Sequence, residues 1–325
     1  MPPRRRLIQL PLAGKIFLCV LAIVYQIYLV ALVNFLHNAW STPAPSVVVH
    51  QVTQTPESEM KQWTPAQMNA AVDATAQDEA VSNLTQKSSS VQAGAATRQK
   101  GQASQNTDAQ YPLSTVGRIF FTNAYGQASS CSGTAVTSAN RSVVDTAGHC
   151  LYWRGGWSQN LIFCPLYDHG ATPYGCWAAR DLEVPDDWIN ARPDDYHHDL
   201  GIAVVAANSQ GLLTDQVGGV GWAYNQAAEQ AFSAYGYPAG APFDGQSRRS
   251  CEGPGTAWAH GEGTVVSIPC DMTGGSSGGP WFIQIGGNWY LNGHNDFISR
   301  FRPNHMYSPY YDDTWHALYD RAQHT

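Results

Sequence analysis

Asp271-Met272-Thr273-Gly274-Gly275-Ser276-Ser277-Gly278-Gly279-Pro280 is the stretch on which the reading of this 325-residue chain turns. Four glycines within six residues raise the backbone entropy lost on folding. Such a run is tolerated where the chain needs unusual dihedrals or close approach. One arrangement that needs both is a turn presenting the Ser277 hydroxyl while the N–H groups of Gly275 and Ser277 converge beside it. That is the geometry of an oxyanion hole next to a nucleophile. Glycine- and serine-rich runs also serve as plain loops, so a base and an orienting carboxylate elsewhere in the chain decide between the two.

Both exist. Thr146-Ala147-Gly148-His149-Cys150 closes a segment that reads as a strand, and Asp199-Leu200-Gly201-Ile202-Ala203 places an aspartate at the mouth of an apolar run. The order is His149, Asp199, Ser277, with gaps of 50 and 78 residues. Histidine, then aspartate, then serine is the chymotrypsin order, distinct from subtilisin and the α/β-hydrolases. In these three motifs the chain resembles the trypsin/chymotrypsin-like serine peptidases. Val116-Gly117-Arg118-Ile119-Phe120-Phe121 and Thr273-Gly274-Gly275-Ser276-Ser277-Gly278 are most similar to the microbial, glutamyl-endopeptidase-like group. The resemblance runs from about residue 111 to the end. It implies a peptide or protein substrate, no cofactor, Ser277 as nucleophile, His149 as base and Asp199 as its orienting partner. The N–H groups of Gly275 and Ser277 would form the oxyanion hole.

Two residues compete to set specificity. Asp271 lies six before Ser277, where trypsin-like enzymes keep a carboxylate for Arg or Lys, although Cys270 stands seven before the serine and not four. His294 falls near the place where glutamyl endopeptidases put a histidine that contacts a substrate carboxylate. The two imply opposite preferences, and the Thr273-to-Gly278 match favours the acidic one. Where the animal enzymes carry an aspartate before the nucleophile, this chain has Ser276. With no Ile-Val-Gly-Gly start either, activation through a new N-terminal ammonium is not expected, and trimming of the preceding segment remains open.

Asp194 and Asp195 could rival Asp199 but sit in a Pro/Asp-rich loop. His197 and His198 are adjacent, so on a strand they face opposite ways. With no His-Glu-x-x-His and no paired Cys-x-x-Cys, no metal is expected. A formal charge of −7 leaves no basic stripe for nucleic acid.

The domain plan has four parts. Residues 1–15 form a basic cytoplasmic end with Arg4, Arg5 and Arg6. Residues 16–36 read as a signal anchor, because the apolar run is longer than a cleaved signal usually carries and the uncharged flank follows it. Residues 37–110 read as a disordered, low-complexity stem or propeptide; in 81–110, nineteen of thirty residues are Ser, Thr, Gln or Ala. Within it, Thr64 could cap a short helix with Pro65 in its first position. Residues 111–325 form the enzyme domain, outside the cytosol, either tethered or secreted after cleavage, and expected to act as a monomer.

In that domain short strands bounded by turns indicate an all-β fold. The resemblance narrows this to two packed six-stranded antiparallel barrels, split near residues 210–219, with a short helix at the C-terminus. Gly286-Gly287 reads as a hairpin turn. Cys19 lies in the apolar segment, and six cysteines remain, with fifteen formal connectivities. Pairing near neighbours gives Cys131–Cys150, Cys164–Cys176 and Cys251–Cys270, of which the first matches the family bridge beneath the catalytic histidine. Two rival functions share these motifs: a catalytically inactive surface binding module, and an esterase using the same triad.

Overall fold

The computed structural model describes residues 25, 26, 28, 45–73, 102–105, 109–190, 192, 195–261 and 263–325. The chain divides into two compact units, 1–44 and 45–325. In the first, Tyr25, Gln26 and Tyr28 are helical and exposed; the rest of the anchor expected at 16–36 lies outside the described residues. Among the described residues no helix is long and apolar enough to cross a membrane.

The second unit is mostly β-structure. Its first half is a closed barrel of six antiparallel strands: β4 (Val116–Thr122), β5 (Ala128–Val136), β6 (Val143–Ala147), β9 (Gln159–Pro165), β10 (Trp177–Pro185) and β11 (Leu200–Val205). They join in the order β4, β5, β6, β11, β10, β9, and β9 returns to β4. Alternation along each strand supplies two cores, since successive side chains point to opposite faces. Ile119 and Phe121 pack with Val144, Phe163 and Leu182 in one cluster, while Phe120 joins Ile162 and Ile202 in another. A small hairpin, β7 (Tyr152–Trp153) with β8 (Gly156–Trp157), sits beyond β6.

The second half differs from the expected closed barrel. It forms two sheets. One contains β13 (Ala231–Gly236), β14 (Arg249–Pro254), β17 (Pro280–Ile285) and β18 (Asn288–His294), with β12 (Gly221–Trp222) and β3 (Ser104–Gln105) at its edges. The other contains β15 (Thr256–His260), β16 (Gly263–Pro269), β20 (Arg302–Pro309) and β19 (Ile298–Ser299). The break falls at Pro254-Gly255: β14 ends on a proline that cannot donate to a ladder. Gly255 has no room for a Cβ beside the Ala228 carbonyl and Phe232. One long strand therefore serves two sheets. Gly286 and Gly287 both take positive φ, +59° and +84°, as a type I′ hairpin turn requires.

The C-terminal helix, Asp313–Ala322, starts where Asp312 accepts from the Thr314 N–H at 2.8 Å, and it buries Trp315, Leu318, Tyr319 and Ala322. Cys131–Cys150, Cys164–Cys176 and Cys251–Cys270 are bonded, over separations of 19, 12 and 19 residues. Each loop of that size is worth about 3 kcal/mol.

The stem is not uniformly without structure, contrary to the sequence expectation. β1 (Val47–Gln51) pairs antiparallel with β10 along five residues. Helices Pro56–Lys61 and Pro65–Ala70 follow, the second with the capping box that Thr64 and Gln67 provide. β2 (Val72–Asp73) then lies parallel to β5. The Trp63 indole donates to the Asn160 carbonyl at 2.7 Å, and Trp63, Met68 and Ala71 are buried. The polar composition of residues 81–110 does not extend back to this stretch. Its few apolar side chains join a core cluster of the barrel.

Candidate active site

Strand register brings His149 and Asp199 together. β6 and β11 pair with Ala147 opposite Leu200, so the residues just past one strand end and just before the other meet at the rim. There the chain turns through the single helical turn Gly148–Leu151, which carries His149. Gly148 must be glycine, because a Cβ would stand 2.9 Å from Asp199 Oδ1. The Asp199 carboxylate is fully buried. Its Oδ1 accepts the His149 backbone N–H at 2.7 Å, and its Oδ2 lies 2.6 Å from His149 Nδ1. Burial works against the charged imidazole, but the Asp199 carboxylate outweighs it, with help from Asp73, and the histidine's pKa is raised. Burial likewise opposes ionised Asp199, and His149 overrides it, so that carboxyl lies below its usual value. His149 Nε2 has no hydrogen-bond partner.

Ser277 comes from the other half of the unit, on the turn that enters β17. Gly275 and Gly278 sit at φ +91° and +77°, a region that disfavours side chains. Close approach adds to this, since a Cβ on Gly278 would lie 2.5 Å from the Ser132 carbonyl. β5 grips the turn: Ser132 N–H donates to the Ser277 carbonyl at 2.7 Å, and Ser132 Oγ donates to the Gly275 carbonyl at 2.9 Å. His149 and Ser277 line one cavity of about 420 Å³ together with Asp73, Thr273, Asp296 and Arg300.

The two specificity candidates lie elsewhere. His294 is fully buried between the halves, with Nε2 donating to the Asp199 carbonyl at 3.0 Å. Its Nδ1 lies 2.8 Å from the Tyr311 hydroxyl and 3.3 Å from Asp145 Oδ2. It braces the backbone of Asp199 and does not line the cavity. Asp271 is taken up by the N-terminal segment, its Oδ1 accepting the Ala103 N–H at 2.6 Å. The β17–β18 pairing, Pro280 opposite His294, turns that imidazole inward. His197 pairs with Asp195 in the same loop.

Two carboxyls at this site hold positions beside the triad that sequence reasoning did not assign. Asp296 Oδ1 stands 3.7 Å from His149 Nδ1, and its carboxyl neighbours that of Asp199. Burial, and then the neighbouring Asp199 charge, push its carboxyl well above the usual range. Asp73 reaches the same cavity from β2, its Oδ1 accepting the Gly275 N–H at 3.1 Å. Neither has a local signal in the sequence. Asp296 follows a strand by two residues, and Asp73 lies 204 residues before Ser277; only the folded register brings them here.

No protein-family model matches this chain, and no curated protein matches it. Solved structures do. The protease Anisep from Arthrobacter nicotinovorans superposes with a TM-score of 0.62 at 37% identity, over 69% of this chain and 100% of that one. The thermostable serine protease AL20 from an extremophilic microorganism gives 0.60 at 41%, over 66% of this chain and 98% of its own. A Glu endopeptidase solved in complex with MPD gives 0.57 at 17%, over 69% and 97%, a likeness of fold alone. The chain belongs to the trypsin/chymotrypsin-like serine peptidases.

The Asp296 geometry sets a pH dependence of stability. Burial and the Asp199 charge raise this carboxyl above its unfolded value, so the group's contribution to stability weakens as pH rises above about 4. Asp296→Asn keeps the shape and removes that loss. Its melting temperature should gain on the parent's progressively between pH 4 and pH 8. A gap that stays constant or shrinks over that range would mean Asp296 is ionised in the folded state.

Proposed function

We propose that this peptidase hydrolyses peptide bonds within proteins through His149, Asp199 and Ser277, by way of an acyl-enzyme. The observation that carries the reading is the double hold of Asp199 on His149, by ring and by backbone, at 2.6 and 2.7 Å. With its proton fixed on Nδ1, the imidazole has Nε2 free as a base, in the cavity that Ser277 lines. In the first step Nε2 takes the Ser277 proton as Oγ attacks the scissile carbonyl. The imidazolium then gives that proton to the leaving amine, and water repeats the sequence on the acyl-enzyme. The developing oxyanion would be met by the N–H groups of Gly275 and Ser277. Asp199 supports the charged imidazole throughout, and burial beside the Asp199 charge favours the neutral form of Asp296.

Among the described residues lining the cavity Arg300 is the permanent cation, and it supports a preference for an acidic residue before the scissile bond. Removing the hydroxyl in Ser277→Ala should leave the fold intact and lower peptide turnover by several powers of ten. A peptide library with Glu, Asp, Arg, Lys or Phe before the bond checks both points at once. Undiminished hydrolysis by the variant ends the triad reading, and selective cleavage after Arg or Lys ends the acidic one.

Three disulfides fit an oxidising compartment. Arg4, Arg5 and Arg6 before the apolar run of residues 16–36 would keep the N-terminus in the cytoplasm, with the enzyme unit tethered outside. Protease added to intact cells should therefore release that unit. A unit that stays protected until the membrane is broken would reverse the orientation.

A further inference from the structure

The segment that precedes the enzyme domain does more than lie against it. β2 runs parallel to β5 with Val72 opposite Ser129 and Asp73 opposite Ser130. This aims the Asp73 side chain at the turn that bears Ser277. There its Oδ1 takes the Gly275 N–H at 3.1 Å. Gly274 offers no side chain in the way, and a Cβ at that position would collide with the Asp73 carboxylate. Asp73 is 9% exposed, and its charge is felt by His149.

The placement is anchored from behind. Arg118 Nη2 donates to the Ala71 carbonyl at 3.4 Å, Ser130 Oγ donates to the Val72 carbonyl at 3.5 Å, and Trp63 is pinned to Asn160. The attachment also has a built-in weakness. Glu59 is fully buried with both carboxylate oxygens unpaired, and burial pushes its carboxyl up to about 8. Ionisation in the free segment therefore favours release at neutral pH.

A carboxylate carries the charge and the acceptor oxygens that the oxyanion of acyl transfer presents, so a hole built for one accepts the other. We infer that the Gly274-Gly275 turn is a carboxylate-binding site whose resident ligand is Asp73, and that this contact lowers the activity of the full chain. While Asp73 Oδ1 occupies the Gly275 N–H, no substrate carbonyl can. Any event that withdraws β2 from β5 frees the N–H and admits the substrate. The inhibitory half of the inference rests on the catalytic reading of Ser277; the carboxylate site does not.

The test uses the full chain, as the parent, Asp73→Ala and Asp73→Asn, each checked for folding by circular dichroism. Two quantities are read: kcat/KM on a peptide amide, and hydrogen exchange at the Gly275 amide. Losing a charge-assisted hydrogen bond from the hole should raise kcat/KM by about tenfold in Asp73→Ala. Asp73→Asn, which keeps an acceptor without the charge and preserves the local shape, should fall between. The Gly275 amide should exchange faster in both. Folded variants that turn over no faster than the parent overturn the inhibitory role, and unchanged exchange at Gly275 overturns the carboxylate site. If no form turns over peptide while exchange at Gly275 quickens, the catalytic reading fails and the inhibition with it, and the carboxylate site stands.

Discussion

The buried Asp199 carboxylate is the contact on which the site depends. An ionised carboxylate removed from water is costly unless each oxygen is met by a donor. His149 meets both oxygens, one with its backbone N–H and one with its ring. That pair of bonds fixes the imidazole's position, its orientation and its tautomer together. It demands that Gly148 lack a side chain and that β6 and β11 keep their register. His294 holds the Asp199 carbonyl from the opposite side through its own buried contacts with Asp145 and Tyr311. The aspartate is thus positioned by backbone and side chain alike.

Beside it, Asp296 is a second carboxyl in the same dry space. Two buried carboxyls with one cationic partner cannot both ionise cheaply, and the one bonded to His149 keeps the charge. The serine turn is organised from elsewhere. Its glycines adopt dihedrals and approaches that other residues resist, and Ser132 ties it to the first barrel by two hydrogen bonds. A segment 204 residues upstream then closes on it through Asp73. The site joins the His149 corner, the Asp199 strand entry, the serine turn and the upstream segment that carries Asp73.

What could be read in the sequence was what its local chemistry encodes. The glycine-serine turn, the Gly-His-Cys corner and the Asp-Leu-Gly strand entry each carry a local signature, and their order marked the family. The Thr64 helix cap, the Gly286-Gly287 hairpin and the C-terminal helix were legible for the same reason. Asp296, His294 and Asp271 were not, because their roles follow from which way a strand faces and what its neighbour has already claimed. The second half failed to close as a barrel because Pro254-Gly255 divides one strand between two sheets, which strand propensity alone does not reveal. The docked N-terminal segment escaped a composition-based reading. Its few apolar residues could not build a core, yet they complete one that exists.

The central claim is that His149, oriented by Asp199, activates Ser277 across the cavity. Covalent labelling with a fluorophosphonate, followed by peptide mass mapping, tests it most directly, since only an activated serine reacts. The account predicts a single adduct on Ser277 that disappears in His149→Ala. An adduct on another serine, or labelling of Ser277 undiminished in His149→Ala, would contradict it.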